Sequence, residues 1–315
     1  MKRTLLASSA LVAMSGAAFA DDNLQVKITG SAEMGIADGG SGDAMFHQDV
    51  DVTFKMEAAT TAGLTFGTAV DLDENAGGVG ADDGGVAVYV SGPFGKVTMG
   101  DVDGGFDFAM DEVNQGAGSI ADNHTTHAGF NGNSGLDGNG NNDGQILQYH
   151  NSFGGLEVAL SFEQEDGVAG TAEKPHVPNG DIIGAGVTGS FGGVKLGAGF
   201  QQHDNASIAG ASVTASFGGI TGRLNYSRLS NDAAANVTHL GVGATYVMDE
   251  TAVNVNFGQH DNGSADNNTG FGIAAQYDLG GGAKIQFGYG NSEYGYGENA
   301  GTDKDTWSLG LAMGF

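Results

Sequence analysis

Apolar and polar residues alternate one by one through most of this chain. In the segment TWSLGLAMGF, Trp307, Leu309, Leu311, Met313 and Phe315 share one parity, and Ser308, Gly310, Ala312 and Gly314 share the other. An extended strand here has one apolar face and one small or polar face. LQVKITGSAEMGI repeats the pattern with Leu24, Val26, Ile28, Ala32, Met34 and Ile36, and VDVTFKMEA with Val50, Val52, Phe54 and Met56. It recurs in LTFGTAVDL, VAVYVSG, GKVTMGD, QILQYHNS, LEVALSFE, IIGAGVTGSF, VKLGAGFQ, ASVTASF, ITGRLNYS, THLGVGATYVM, AVNVNFGQ, GFGIAAQYDL and AKIQFGYG. The periodicity predicts about sixteen strands, most near the ~9–11 residues that cross a bilayer at a tilt. No window of helical periodicity is long enough to predict a helix after residue 20, and no linker divides the strands, so residues 21–315 read as one all-β domain.

The joints between strands fall into two kinds. FGGLEV, FGGVKL, FGGITG and MDETAV leave room only for tight hairpin turns, whereas EDGVAGTAEKPHVPNGD and HDNGSADNNTG are long and polar. Short turns alternating with long loops place the two ends of the sheet in different surroundings, as in a membrane-spanning barrel. Charge parity agrees. Lys27, Lys55, Lys195, Arg223 and Lys284, with Glu33, Asp51, Glu57, Asp71 and Glu157, all lie opposite the apolar row. A Lys or Arg facing lipid at mid-membrane costs about 2–4 kcal/mol, so this parity points to a wet interior. Tyr226, Tyr246, Phe257, Phe271, Tyr277, Phe287 and Trp307 sit on the apolar parity, several near strand ends where aromatic girdles form.

The first twenty residues carry Lys2 and Arg3, a short apolar run and Ala18-Phe19-Ala20, the small-x-small pattern of a signal-peptidase site. Residues 1–20 are expected to be a cleaved signal peptide, with Asp21 first in an exported chain. The chain has 58 Gly, 3 Pro, 0 Cys and a formal net charge of -27. An exported chain without cysteine takes its stability from packing and hydrogen bonds rather than disulfides. The acidic balance and the lack of a basic, aromatic-interleaved patch exclude nucleic acid as a partner.

Three places resemble the general diffusion porins of Gram-negative outer membranes, in particular the trimeric sixteen-stranded type of alphaproteobacteria. They are SGPFGKVTMGD at 91–101 leading into one very long loop, YHNSFGGLEVALSF at 149–162 resuming the barrel, and the C-terminal Phe315. The resemblance implies a transmembrane antiparallel β-barrel in which the stretch 102–143 folds inward as a constriction loop. It also implies passive diffusion of small hydrophilic solutes and ions through a water-filled channel. On that reading Asp101, Asp103, Asp107, Asp111 and Glu112 form an acidic constriction, which makes the channel cation-preferring. Lys27, Lys55 and Lys284, with Lys96, would form the facing basic wall. Relatives place several Arg on that wall, and this chain has three Arg in all, one of them in the signal segment. Phe315 resembles the signal read by the barrel-assembly machinery. Homotrimers, outer-membrane lipid and lipopolysaccharide are the other implied partners.

Readings outside channels are weaker. Gly184, Gly186 and Gly189 fit G-x-G-x-x-G, but strand residues follow where a dinucleotide site needs a helix. No nucleophile elbow, Walker sequence or H-E-x-x-H motif is present, so no catalytic residue is assigned and no cofactor is required. His124 and His127 are a close pair without a nearby third ligand in sequence. The acids of DVDGGFDFAMDE and the oxygen-rich DGNGNNDG suggest Ca2+ but lack the glycine of an EF-hand loop. A secreted acidic calcium-binding β-protein and a substrate-specific outer-membrane channel are the alternatives.

Overall fold

The structure, a computed structural model, describes residues 24–75, 85–120, 126–137, 146–164, 180–232 and 234–315. The expected signal segment 1–20, His124, and residues 121–125 and 138–143 of the expected loop lie outside the described residues.

Sixteen strands are present among the described residues. They are β1 (Gln25–Asp38), β2 (Met45–Ala59), β3 (Thr65–Asn75), β4 (Val86–Gly92), β5 (Gly95–Gly100), β6 (Ile146–Phe153), β7 (Leu156–Glu163) and β8 (Ile182–Phe191), followed by a second eight. These are β9 (Val194–His203), β10 (Ala206–Phe217), β11 (Ile220–Asn231), β12 (Val237–Met248), β13 (Thr251–Asp261), β14 (Asn268–Gly280), β15 (Ala283–Tyr294) and β16 (Thr302–Gly314). Each pairs antiparallel with its sequence neighbour, and β1 pairs with β16 from Ser31↔Gly314 to Asp38↔Trp307, closing a barrel. Closure matters because lipid offers no hydrogen bonds: an unpaired edge N–H or C=O in hydrocarbon costs several kcal/mol.

Alternation decides which way the closed sheet faces. Leu224, Leu240, Val242, Val255, Phe257, Ile285 and Leu309 are exposed, while Gln201, Asn225, Asn254 and Ser308 are fully buried. A water-soluble protein has the opposite distribution; this one fits lipid outside and a polar interior. The tight turns are built by repetition of Phe-Gly-Gly. Gly154 and Gly155 have φ of 61° and 88°, Gly192 and Gly193 58° and 85°, Gly218 and Gly219 57° and 83°. Positive φ at both central residues is what a two-residue hairpin of matching twist requires.

Two details depart from the periodicity. β9 and β10 are joined by only Asp204 and Asn205 at the long-loop end, because β10 starts at Ala206 rather than near residue 211. Ile208 extends the strand there because it packs inward with Phe106 and Leu136, on the parity that is otherwise polar. The second departure is a five-residue helix, α1 (Gly105–Ala109), inside the long loop, too short to leave a periodic signature.

The last residue completes the closure. Phe315 N–H donates to the Gly30 carbonyl at 2.8 Å and Gly30 N–H to the Phe315 carbonyl at 3.3 Å, while the ring is 79% exposed. The ring therefore faces outward and touches nothing in the lumen. Phe315→Ser is expected to lower the yield of folded barrel severalfold and to leave the unit conductance of inserted channels unchanged. Quantitative heat-modifiability on gels, followed by bilayer recording, checks both halves.

Candidate functional site

The long loop leaves β5 at Gly100 and enters the lumen. Gln148 on β6 donates to the Asp103 carbonyl at 2.7 Å, and Gly105 N–H donates to Ser161 Oγ on β7 at 2.8 Å. Ser212 on β10 donates to the Ala109 carbonyl at 3.0 Å, and Asn225 on β11 to the Asp111 carbonyl at 3.0 Å. Thr245 on β12 donates to the Gln115 carbonyl at 2.6 Å, Asn254 on β13 to the Val113 carbonyl at 3.1 Å, and Ser308 on β16 to the Ile120 carbonyl at 2.5 Å. The loop thus runs along the inner wall from β6 to β16, its backbone satisfied by the Ser, Thr, Asn and Gln of the polar parity. Buried polar groups need such partners, and here the wall supplies them one by one.

Glycine lets the loop lie this close. A Cβ at Gly186 would overlap the Gly105 carbonyl oxygen, one at Gly197 the Ala109 carbonyl oxygen, and one at Gly243 the Val113 carbonyl oxygen. The G-x-G part of the GAGVTG segment is therefore a seat for the loop, with no phosphate role. Phe106, Met110, Leu136, Ile182 and Ile208 form an apolar cluster that pins the loop between β8 and β10.

The acids at the loop start divide into two groups. Asp111 is buried: Lys195 Nζ stands 2.6 Å from its Oδ1 and Thr214 Oγ1 donates to Oδ2 at 2.5 Å. Burial alone would raise its carboxyl, but the ammonium and the hydroxyl outweigh burial and hold it below the usual carboxylate range. Asp111 thus anchors the loop, with Lys195 as its counterion. Asp107 and Asp137 behave oppositely. Burial, followed by the charges of Asp103, Asp137 and Glu112, pushes Asp107 up to about 7. Asp137 also reaches about 7, through burial and the charges of Glu163 and Asp103, against hydrogen bonds from Gly104 N–H and Gln201. Asp103 opens on the lumen water and is raised by burial within the channel and by Asp101. Asp101 is exposed just beyond β5, its N–H donating to the Val86 carbonyl at 2.9 Å. Asp137 has no local signature, since it lies 30 residues along the chain from Asp107 and only the fold of the loop brings it back.

Of the expected basic wall, the barrel brings three members together. Lys27 and Lys55 are register partners on β1 and β2. Lys55 and Lys96 stand 5.5 and 4.4 Å from the Tyr89 ring centroid. Tyr89 donates to Glu57 Oε2 at 2.5 Å, and Lys55 lies 3.5 Å from the same oxygen. Lys284 does not join them. It pairs with Ala312, which pairs with Glu33, so it lies six residues beyond Lys27 along β1, about 20 Å at strand rise. Closure brings strands together but does not shift residues along them. Among the described residues no three His, Cys, Asp or Glu stand close enough to hold a metal ion.

A closed barrel that is apolar outside, polar inside and narrowed by its own loop defines a transmembrane channel. Residues 7–297 match the Gram-negative porin family, and the chain belongs to it. A porin of Rhodobacter capsulatus is 28% identical over 289 residues, covering 83% of this chain and 92% of that one. A porin structure refined at 1.8 Å superposes with a TM-score of 0.70 at 22% identity, covering 92% of this chain and 100% of the other. An engineered Rhodopseudomonas blastica porin gives 0.67 at 18% over the same shares. The protein is an outer-membrane porin channel.

Proposed function

We propose that this porin is a general-diffusion channel, trimeric in the outer membrane, whose inward loop favours cations. The observation behind the reading is the gathering of Asp103, Asp107, Glu112 and Asp137 on one side of the lumen, close enough to perturb one another. Clustered carboxylates between low-dielectric walls raise local cation concentration and oppose anions. Water and small polar solutes pass with no chemical step, and no cofactor is needed. Trimers, lipopolysaccharide on the outer loops and delivery by the barrel-assembly machinery complete the reading and rest on family likeness.

The raised carboxyls give the reading a pH test. Asp107 and Asp137 are neutral well below pH 7 and charged well above it, so cation preference should grow as pH rises through about 7. The zero-current potential in a KCl gradient, recorded in planar bilayers at pH 5.5 and 8, measures this. Asp107→Asn with Asp137→Asn should flatten the dependence; a wild-type potential equal at both pH values would count against the reading. The stability sign is the reverse of that for an ordinary paired carboxylate. Folding raises both groups from 3.8, so the native chain holds protons the unfolded chain has released between about pH 4 and 7. Their contribution is present at low pH and lost as pH rises through 7.

A further inference from the structure

The residues that seat the loop mark a level on the inner wall, and one inward-facing position below it, toward the short turns, that wall is cationic. On β9 the Ala109 carbonyl lies against Gly197, and Lys195 stands two residues closer to the turn. On β11 Asn225 holds the Asp111 carbonyl, and Arg223 stands two residues below it. On β15 Gln286 packs on Gly118, with Lys284 two residues below. On β5 Thr98 is the register partner of Gln148, which holds Asp103, and Lys96 lies two residues below. Two residues along a strand are about 7 Å and return the side chain to the same face. Four strands therefore repeat one arrangement, a loop seat with a cation beneath it.

Acids do not match these cations at that level. Asp278 stands two residues below Gln276, whose Oε1 accepts from Gly118 N–H at 3.1 Å, but its own Oδ1 accepts from Gly280 N–H at 2.7 Å. Glu157 lies 2.8 Å from His150 Nε2, and Glu57 is held by Tyr89 and Lys55. Asp249, Glu250 and the terminal carboxylate of Phe315 lie past the strand ends. Lys195 is neutralised by Asp111. Among the described residues no carboxylate is within ion-pair distance of Lys27, Lys96, Arg223 or Lys284. The acids gather instead on the other side of the loop. Asp137 is bound by Gln201, six residues past Lys195 on β9, about 20 Å at strand rise, and Asp107 faces Asp103, Asp137 and Glu112.

We propose that Lys96, Arg223 and Lys284, joined by Lys27 and Lys55 on β1 and β2, form a second selectivity element in series with the acidic constriction, and that the two together make the channel rectify. The proposal rests on the cation-favouring reading of the loop. Fixed charge draws counterions into a narrow passage and thins co-ions over about a Debye length. A voltage positive at the long-loop end drives cations in past the acids and anions in past the basic belt, so both accumulate between them and the current is large. The opposite voltage draws each ion from the end that repels it, the passage is depleted, and the current is small.

Open-level currents at equal and opposite voltages in symmetric KCl, recorded on single channels of the full protein, test this. At about 0.1 M, where the Debye length is about 10 Å, the larger wild-type current should exceed the smaller by about 1.5-fold to twofold; at about 1 M, where it is about 3 Å, the ratio should fall close to one. Lys27→Gln with Lys96→Gln and Lys284→Gln should bring the low-salt ratio at least halfway to one and make the zero-current potential more cation-preferring, opposite to neutralising the acids. Lys195 and Arg223 are left in place because they hold Asp111 and the Gln115 carbonyl. Lys304→Gln, at the long-loop end beside Gly40, is the control and should not lower the ratio. Failure of the cation reading shows as acid variants with an unmoved zero-current potential, and failure of the belt as lysine variants with an unmoved current ratio, so the two are told apart. A wild-type ratio of one at low salt, a ratio that persists at high salt as an asymmetry of pore shape alone would give, or an unchanged ratio in the triple variant would overturn the proposal. Where the triple variant fails to assemble, Lys284→Gln alone decides by the same ratio: a fall supports the belt and no change refutes it.

Discussion

Replacing Asp103, Asp107, Glu112 and Asp137 with Asn or Gln is expected to lower the cation-to-anion permeability ratio about threefold to tenfold at low salt. At about 8 Å in water one carboxylate changes the energy of a monovalent ion by about 0.5 kcal/mol. The ratio feels this twice, because the same charge that attracts a cation repels an anion. Asp107 and Asp137 are only partly ionised at neutral pH, since both titrate near 7, so the effect there falls at the lower end of that range. Screening weakens the effect as the Debye length falls from about 30 Å at 0.01 M to about 8 Å at 0.15 M. The same number of neutralisations at Asp261, Asp266, Glu298 and Asp303, near the long-loop end, is the control. Zero-current potentials in KCl gradients at several salt levels compare the two sets, and equal shifts from both would place the selectivity outside the loop.

The second large effect is mechanical. Gly197→Val is expected to reduce single-channel conductance by on the order of a third, because the loop can yield only toward the pore axis. The new Cβ overlaps the Ala109 carbonyl oxygen, which Ser212 also holds at 3.0 Å. Forcing extra carbons into a filled contact costs about 1–3 kcal/mol, which the loop relieves by lifting off the wall by roughly 1 Å. In a passage a few ångströms in radius, that displacement is a large share of the cross-section. Gly222→Val is the matched control, because a Cβ at Gly222 meets nothing within 4 Å. Unit conductance of both variants, with the yield of folded barrel measured alongside, decides the matter: equal conductances would show that the seat at Gly197 does not set the pore.

The alternation of side chains was enough to count the strands, choose their faces and place the tight Phe-Gly-Gly turns, but not the two-residue joint between β9 and β10. A strand has a period of two, and lipid on one face with water on the other leaves only one parity for charge. Trp307, Leu309 and Leu311 against Ser308 and Gly310 state that choice locally, and Lys27, Lys55 and Lys284 confirm their parity without any contact being known. Asp101, Asp103, Asp107 and Glu112 were visible as an acidic run because they are close in the chain. Tertiary structure alone decided what each acid does. Asp111 belongs to the same run, yet Lys195 and Thr214 on β9 and β10 turn it into an anchor, and those partners are separated from it by 84 and 103 residues. Asp137 returns to the cluster and Lys284 stays apart from Lys27, both because barrel register and the course of the loop set distances that spacing along the chain cannot encode. Glycine shows the same division. The pattern marks Gly186 and Gly197 as small residues on the wet face, but only the loop lying on them explains why a side chain there has no room.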